Sequence, residues 1–198
     1  DEIIQELEFT NNCDLLFFTD KCQVYKAKAD DFAQTKASVL GDYVAAKLGF
    51  DEDENAVKMV VTKDYKGMLL FAFENGKAAK VPLESYATKT NRKKLTGAYS
   101  DKSPLVGLLY MPEDEEVLFK ASSGNMLLVH TGALALKTTR STQGVAVLKP
   151  KKGHRLFSIE RYKEGTFTNP KRYRTGSLPA RGALPVNDDS KDEQLSLI

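Results

Sequence analysis

The chain has 198 residues, 41% of them hydrophobic, and a formal net charge of +2. It contains no run of about 18 apolar residues, which excludes a single-helix membrane span, and its acidic first residues, Asp1 and Glu2, are unlike a secretory signal. We therefore expect a globular, cytoplasmic protein with no membrane partner. Cys13 and Cys22 belong to no CxxC pair or Cys/His cluster, and we interpret them as free thiols.

The small net charge results from strongly segregated charges. Residues 1–64 contain 7 Lys and Arg against 14 Asp and Glu, a balance of −7. Residues 65–181 contain 21 against 9, a balance of +12, and residues 182–198 contain 1 against 4, a balance of −3. A basic middle of this size is typical of a protein that binds a polyanion, although a solvated surface can hold many lysines singly.

A pattern of apolar run, polar turn and alternating strand occurs three times along the chain. It first covers residues 15–26, returns at 68–81 with the hairpin turn signal Asn-Gly, and returns again at 125–137. From Phe18 to Phe73 is 55 residues and from Phe73 to Val129 is 56 residues. This period is typical of sheet-bladed repeats such as propellers.

Further strands are predicted between these hairpins. Those leaving the hairpins are residues 43–50, 105–111 and 145–148, and those leading into the next hairpin are residues 3–9, 56–62, 117–121 and 156–161. The sequence thus predicts an all-β array of about three four-stranded blades within residues 1–164. The predicted blades are residues 1–50, 51–111 and 112–160. Residues 165–186, rich in Pro, Gly and basic side chains, are expected to form a basic surface segment, and residues 187–198 an acidic disordered tail.

Two short motifs carry a resemblance to a known family. Residues 14–21 read Asp-Leu-Leu-Phe-Phe-Thr-Asp-Lys, and residues 140–145 read Arg-Ser-Thr-Gln-Gly-Val. Together, within a repeat that extends over about residues 10–150, they resemble the C-terminal repeats of the A subunits of bacterial type IIA topoisomerases, DNA gyrase and topoisomerase IV. The resemblance implies a β-pinwheel, in which propeller-like blades exchange strands with their neighbours in a disc or open arc. In that family DNA bends around the basic rim.

The loop at residues 91–97 departs from the gyrase pattern. Gyrase marks one loop with the box Gln-Arg-Arg-Gly-Gly-Lys-Gly, whereas this loop reads Asn-Arg-Lys-Lys-Leu-Thr-Gly. It keeps the positive charge and the final glycine but lacks the paired glycines. The departure favours a topoisomerase IV-like or divergent enzyme over gyrase-type supercoiling. Residues 35–41 and 140–144 are interpreted as the equivalent loops of the other repeats.

The function implied is non-sequence-specific binding and bending of double-stranded DNA, which presents DNA segments to a catalytic core. Such binding needs Lys and Arg side chains at phosphates, and glycines where the backbone approaches closely. The candidate DNA-binding residues are Lys36, Lys89, Arg92, Lys93, Lys94, Gly97, Arg140, Gly144, Lys149, Lys151, Lys152 and Arg155. Arg92, Lys93, Lys94 and Arg140 are predicted to lie in equivalent outer loops of neighbouring blades.

Two acidic runs, residues 51–54 and 113–116, are expected at equivalent points of successive repeats. They would either confine the duplex to one rim or be solvated turns.

No catalytic motif or metal-ligand spacing is recognised, so we expect no catalytic site, metal or cofactor in this chain. The parent enzyme that the resemblance implies is an ATP-dependent type II DNA topoisomerase, which would use ATP and Mg through other domains or subunits. The implied partners are double-stranded DNA, the ATPase B subunit, and the catalytic part of the same A subunit. A propeller-like protein-interaction module, whose basic face meets an acidic protein, is the alternative.

Overall fold

The computed structural model describes residues 3–36, 38–88, 92–186 and 189. The elements of this part of the chain are β1 (Asp14–Thr19), β2 (Gln23–Lys28), α1 (Val44–Leu48), β3 (Ala56–Thr62), β4 (Met68–Phe73), β5 (Lys77–Pro82), β6 (Lys94–Thr96), β7 (Leu105–Met111), β8 (Glu116–Ala121), β9 (Met126–His130), β10 (Val145–Ala146) and β11 (Leu156–Arg161). Short 3-10 turns follow β2, β5 and β9. Across the described ranges, none of the helices has the length and apolar character needed to cross a membrane.

The strands form three antiparallel sheets, which confirms the predicted all-β array of blades. The first blade has the strand order β3-β1-β2-β6, the second β10-β5-β4-β7 and the third β11-β8-β9. Each blade is built on one hairpin, formed by β1–β2, β4–β5 or β8–β9. The sheets remain open and do not close into a barrel.

Neighbouring blades exchange strands, as the resemblance implies. β6 follows the second hairpin in sequence but pairs with β2 of the first blade. In the same way β10 follows the third hairpin and pairs with β5 of the second blade. The blades are therefore not contiguous in sequence. β3, which falls within the range predicted for the second blade, pairs with β1 in the first.

The strands predicted at residues 56–62, 105–111 and 156–161 are present with those bounds, as β3, β7 and β11. The sequence pattern assigned the second of them a different role from the other two. In the structure all three are equivalent, because each pairs with the first strand of its own hairpin.

The predicted alignment of the third repeat was wrong. Its hairpin is β8–β9 with the turn at residues 122–125, so residues 126–130 are the second strand and not the first. The equivalent starts are Asp14, Met68 and Glu116, giving spacings of 68 − 14 = 54 and 116 − 68 = 48 residues. The error has a physical origin: both β1 and β9 are buried apolar runs that contain Leu-Leu, and hydrophobicity alone does not distinguish them.

Two predicted strands in the first repeat are absent. Residues 43–50 contain α1, which ends at Gly49 with φ of 66°. An exchanged strand requires a neighbouring hairpin to pair with, and no hairpin precedes β1 in the described part of the chain. Residues 3–9 form no strand either. Instead the Gln5 side chain donates to the Met59 carbonyl (2.9 Å) and accepts from the Met59 amide (3.0 Å), which covers the edge of β3.

The hydrophobic core lies mainly between blades. Phe18 of the first blade contacts Phe71 of the second with ring centroids 5.8 Å apart, and both are fully buried. The other face of the second blade packs against the third through Leu70 and Phe119. The outer face of the first blade is covered by α1 and Phe32.

The segment 162–186, which we call the strap, covers the outer face and free edge of the third blade. Tyr173 is fully buried, and its ring centroid lies 4.4 Å from that of Phe167. Ala183 exchanges two backbone hydrogen bonds with Met126 of β9, at 2.8 and 2.9 Å. Of the predicted acidic tail, only Asp189 is among the described residues. Its carboxylate accepts from the Tyr173 hydroxyl (2.5 Å) and the Thr168 amide (2.8 Å).

Candidate nucleic-acid interface

The outer edge of each blade receives one strand or strand-like segment from the following part of the chain. The hairpin registers make Val24, Ala78 and Met126 equivalent positions. Their edge partners are Leu95, Val145 and Ala183. The strap therefore provides the third blade with the contact that β6 and β10 provide to the first two, reduced to a single bridge.

This equivalence corrects the predicted match between Gly97 and Gly144. Gly144 precedes β10, whereas Gly97 follows β6. A Cβ on Gly144, whose φ is 73°, would lie 2.0 Å from the carbonyl oxygen of Ala78. Gly144 thus allows close packing against β5 and does not serve a phosphate. A Cβ on Gly97 would meet nothing within 4 Å.

The three cations before and within β6 differ in their surroundings. Arg92 and Lys93 are exposed. Lys94 donates to both carboxylate oxygens of Asp51, at 2.9 and 2.8 Å, and its ammonium lies 5.3 Å from the centre of the Tyr25 ring. These hydrogen bonds to Asp51 and then Tyr25 raise the pKa of Lys94 above its usual value. Lys94 is therefore occupied by the protein itself.

Arg140 does not share the position of these cations, contrary to the prediction. It is half-buried, and its Nη1 donates to the carbonyl of Ser85 at 3.0 Å. Its Nε is buried without a hydrogen-bond partner among the described residues. The register makes Gly144 equivalent to Lys94, so Arg140 lies four residues before the equivalent point. Arg140 fastens its loop to the second blade.

Four predicted cations are brought together in residues 149–155, which link β10 to β11 and which we call the basic crossover. They are Lys149, Lys151, Lys152 and Arg155, all exposed. The segment runs across two hairpin turns. The Leu148 amide just before it donates to the carbonyl of Gly76 (3.0 Å) in the second blade, and the Ser122 amide of the third blade donates to the carbonyl of Arg155 (2.8 Å).

The lysines of the basic crossover are available for a ligand. In the described ranges Lys149, Lys151 and Lys152 have no ion pair, and Arg155 has only a 3.5 Å contact with Glu74. The Nδ1 of His154 lies 3.2 Å from the Ser122 hydroxyl. Three unpaired ammonium groups within four residues form a surface suited to phosphates.

Comparison with known proteins gives the same family as the motifs. No family model matches the chain. The DNA gyrase A protein of Mycobacterium bovis (strain BCG / Pasteur 1173P2) is 27% identical over 171 residues, which cover 84% of this chain and 20% of that protein. The structure of the C-terminal domain of DNA topoisomerase IV superposes with a TM-score of 0.69 at 23% identity, covering 80% of this chain and 50% of that one. The DNA gyrase A C-terminal domain gives 0.61 at 17% identity, covering 88% and 60%.

The chain is a relative of the C-terminal domains of type IIA topoisomerase A subunits. Its fold is the β-pinwheel of those domains. It spans about a fifth of the length of the curated relatives it matches.

Arg181 is a basic residue of this pinwheel that the sequence pattern did not single out. It is exposed, and the preceding residue, Ala180, accepts a backbone hydrogen bond from Lys149 at 2.8 Å. Arg181 therefore borders the basic crossover. A signal is present in the sequence, because Arg181-Gly182-Ala183 repeats the pattern of residues 143–145, Gln-Gly-Val. The predicted repeat ends at residue 164 and so excludes it.

The other two candidates remain apart from this cluster. Lys36 is exposed in the irregular segment before α1, where its carbonyl accepts from the Val39 amide at 2.9 Å. Lys89 lies outside the described residues. The described ranges also contain no group of three or more His, Cys, Asp or Glu side chains placed to hold a metal ion.

The two acidic runs lie at opposite ends of the blades, so their predicted equivalence was wrong. Residues 51–54 lie at the end where the hairpins turn, beside Asp20, which accepts from the Asn55 amide at 2.9 Å. Residues 113–116 lie at the other end, where Asp114 accepts from Lys80 at 2.8 Å. They belong to different kinds of link, one before an inner strand and one after it.

Proposed function

We propose that this chain binds double-stranded DNA without sequence preference, as the C-terminal domain of a type IIA topoisomerase A subunit. The observation that carries the proposal is the basic crossover together with Arg181. These side chains are exposed, come from two segments far apart in sequence, and lie where two blades meet. They can contact phosphates while leaving the cores of both blades intact.

The energetics suit wrapping of this kind. Each neutralised phosphate releases counterion, so log K falls with log salt by about 0.9 per contact. Bending 20 to 30 base pairs by 40 to 90 degrees costs on the order of 1–6 kcal/mol, which several phosphate contacts can offset. Because phosphates carry no base identity, affinity of this origin is independent of sequence.

In the parent enzyme we infer that the domain bends DNA and presents segments to the catalytic part of the same A subunit. That enzyme would be ATP-dependent, with ATP and Mg held by other domains and the ATPase B subunit, in the cytoplasm. The absence of paired glycines at residues 91–97 favours a topoisomerase IV-like activity over gyrase-type wrapping.

The proposal is tested by replacing Lys149, Lys151 and Lys152 with Ala in the full chain. Binding to random duplexes should weaken equally on unrelated sequences, and the salt slope should shrink by about 2–3 units at 0.9 per lost contact. Fluorescence anisotropy over a series of salt concentrations measures both. The fold should be unaffected, because exposed substitutions usually change stability by no more than about 0.5 kcal/mol.

A matched control removes three exposed lysines at the opposite end of the blades, Lys63, Lys66 and Lys163. The net charge changes equally, so any difference reports position. If the control weakens binding as much as the crossover variant, the assigned interface is wrong. If neither variant changes the salt slope, the alternative is favoured, in which the basic face binds an acidic protein.

A further inference from the structure

One position of the repeat carries opposite charge at the two ends of the array. The links that precede the inner strands β3, β7 and β11 are residues 51–55, 97–104 and 147–155. All three lie at the end of the blades where the hairpins turn. The Glu74 amide donates to the carbonyl of Pro104 (3.0 Å), as the Ser122 amide does to that of Arg155 (2.8 Å).

The charge along these three links runs from acidic to basic. The first contains four carboxylates and no cation, a balance of −4. The second contains Asp101 and Lys102, a balance of zero. The third contains four cations and no carboxylate, a balance of +4 with His154 neutral. Equivalent positions on one side of the array therefore repel phosphate at the first blade and attract it at the third.

The first link also removes a cation from the surface. Asp51 holds both carboxylate oxygens against the Lys94 ammonium, at 2.8 and 2.9 Å, and accepts from Gln23 at 2.8 Å. The hydrogen bonds from Lys94 and then Gln23 lower the pKa of Asp51, which keeps the carboxylate charged. The charge of Lys94 is thus neutralised locally, beside the exposed Arg92 and Lys93.

We propose that a bound duplex follows the hairpin-turn end of the second and third blades and stops at the junction with the first blade. There the acidic link, residues 51–55, repels the phosphates and occupies Lys94. This inference rests on the proposed function and adds the direction and the end of the DNA path. Repulsion by exposed carboxylates acts within the Debye length, about 8 Å at physiological salt. The acidic link therefore acts on the adjoining stretch of duplex only.

Two substitutions in the acidic link test the path. Asp51→Asn keeps the side-chain shape and releases Lys94, and Glu52→Lys turns an exposed repulsive charge into an attractive one. Each should tighten binding to a random duplex several-fold and steepen the salt slope by about 1 unit, the value for one added phosphate contact. Hydroxyl-radical footprinting on a long end-labelled duplex should show protection that extends further than with the unmodified chain.

The matched control is Glu113→Lys, an equal charge change at an exposed glutamate of the opposite end. It should leave affinity and footprint unchanged. The inference is overturned if Glu52→Lys binds no more tightly than the unmodified chain, or if Glu113→Lys gains as much as Glu52→Lys. Either result is compatible with DNA binding through the crossover lysines. If the unmodified chain binds no duplex at low salt, the proposed function and this inference fall together.

Discussion

At the scale of single residues, glycines with similar backbone angles have different roles. Gly97 and Gly144 both have positive φ, at 61° and 73°. Only Gly144 faces backbone atoms of a neighbouring strand, with the Ala78 carbonyl oxygen 2.0 Å from the position of an added Cβ. Gly182 repeats this contact at Met126, at 2.3 Å. Gly144 and Gly182 mark the points where a later segment joins an earlier blade.

Gly144→Ala should therefore destabilise the fold by about 3 kcal/mol or more, the sum of the cost of positive φ and of displacing β10 from β5. Gly97→Ala should cost only about 1 kcal/mol, because the backbone angle is its sole penalty. Urea unfolding curves followed by circular dichroism compare the two variants. Equal costs would show that β10 does not pack closely on β5.

At the scale of elements, the strap completes the third blade. Its contacts with β9 are two isolated bridges, Met126 with Ala183 and Leu128 with Arg174. The side chain of Arg174 also forms a bidentate ion pair with Glu116 at the start of β8, at 2.5 and 2.9 Å. Because so few backbone bonds hold the strap, its docking depends on the buried ring of Tyr173.

Tyr173→Ala should release the strap and expose the edge of β9. Truncating a buried aromatic side chain typically costs about 3–5 kcal/mol. Hydrogen exchange should accelerate at β8 and β9 while the hairpin β1–β2 keeps its protection, because the affected core belongs to the third blade alone. The control is Tyr43→Ala, whose side chain is 76% exposed. Uniform acceleration in all three hairpins would contradict a local role for the strap.

At the scale of the whole molecule, the blades share their cores. The largest cluster joins Phe18 and Val24 of the first blade to Phe71 and Val81 of the second. A second cluster joins the second blade to the third. Strand exchange adds backbone hydrogen bonds across the same boundaries. No blade buries its apolar faces by itself, so the array should unfold as a unit.

Urea unfolding should therefore show one cooperative transition, with far-ultraviolet circular dichroism and tyrosine fluorescence coinciding. Phe18→Ala, at the boundary between the first two blades, should lower the unfolding free energy by about 3–5 kcal/mol and leave the transition single. Separate transitions for the two probes would indicate that the blades fold independently.

Much of the fold could be predicted from local pattern. Alternating apolar residues and the Asn75-Gly76 turn indicate hairpins, and the bounds of β3, β7 and β11 agree with the prediction. The candidate cations from Lys149 to Arg155 are also recognised, and the structure brings them together. Local pattern fails where pairing decides structure. Residues 43–50 have the apolar content of a strand but form α1, because no neighbouring edge is available to them in the described part of the chain.

The sequence by itself determined the β class, the repeat and the charge segregation, because side-chain hydropathy and turn chemistry act over a few residues. Only the tertiary structure decided which cations face solvent. Lys93 and Lys94 are adjacent and chemically identical, yet Lys94 pairs with Asp51, 43 residues away in the chain. The partner of each charge, the register of β10 on β5 and the place of Arg181 all depend on strand exchange between blades. Such contacts join residues far apart in sequence, and a local pattern does not encode them.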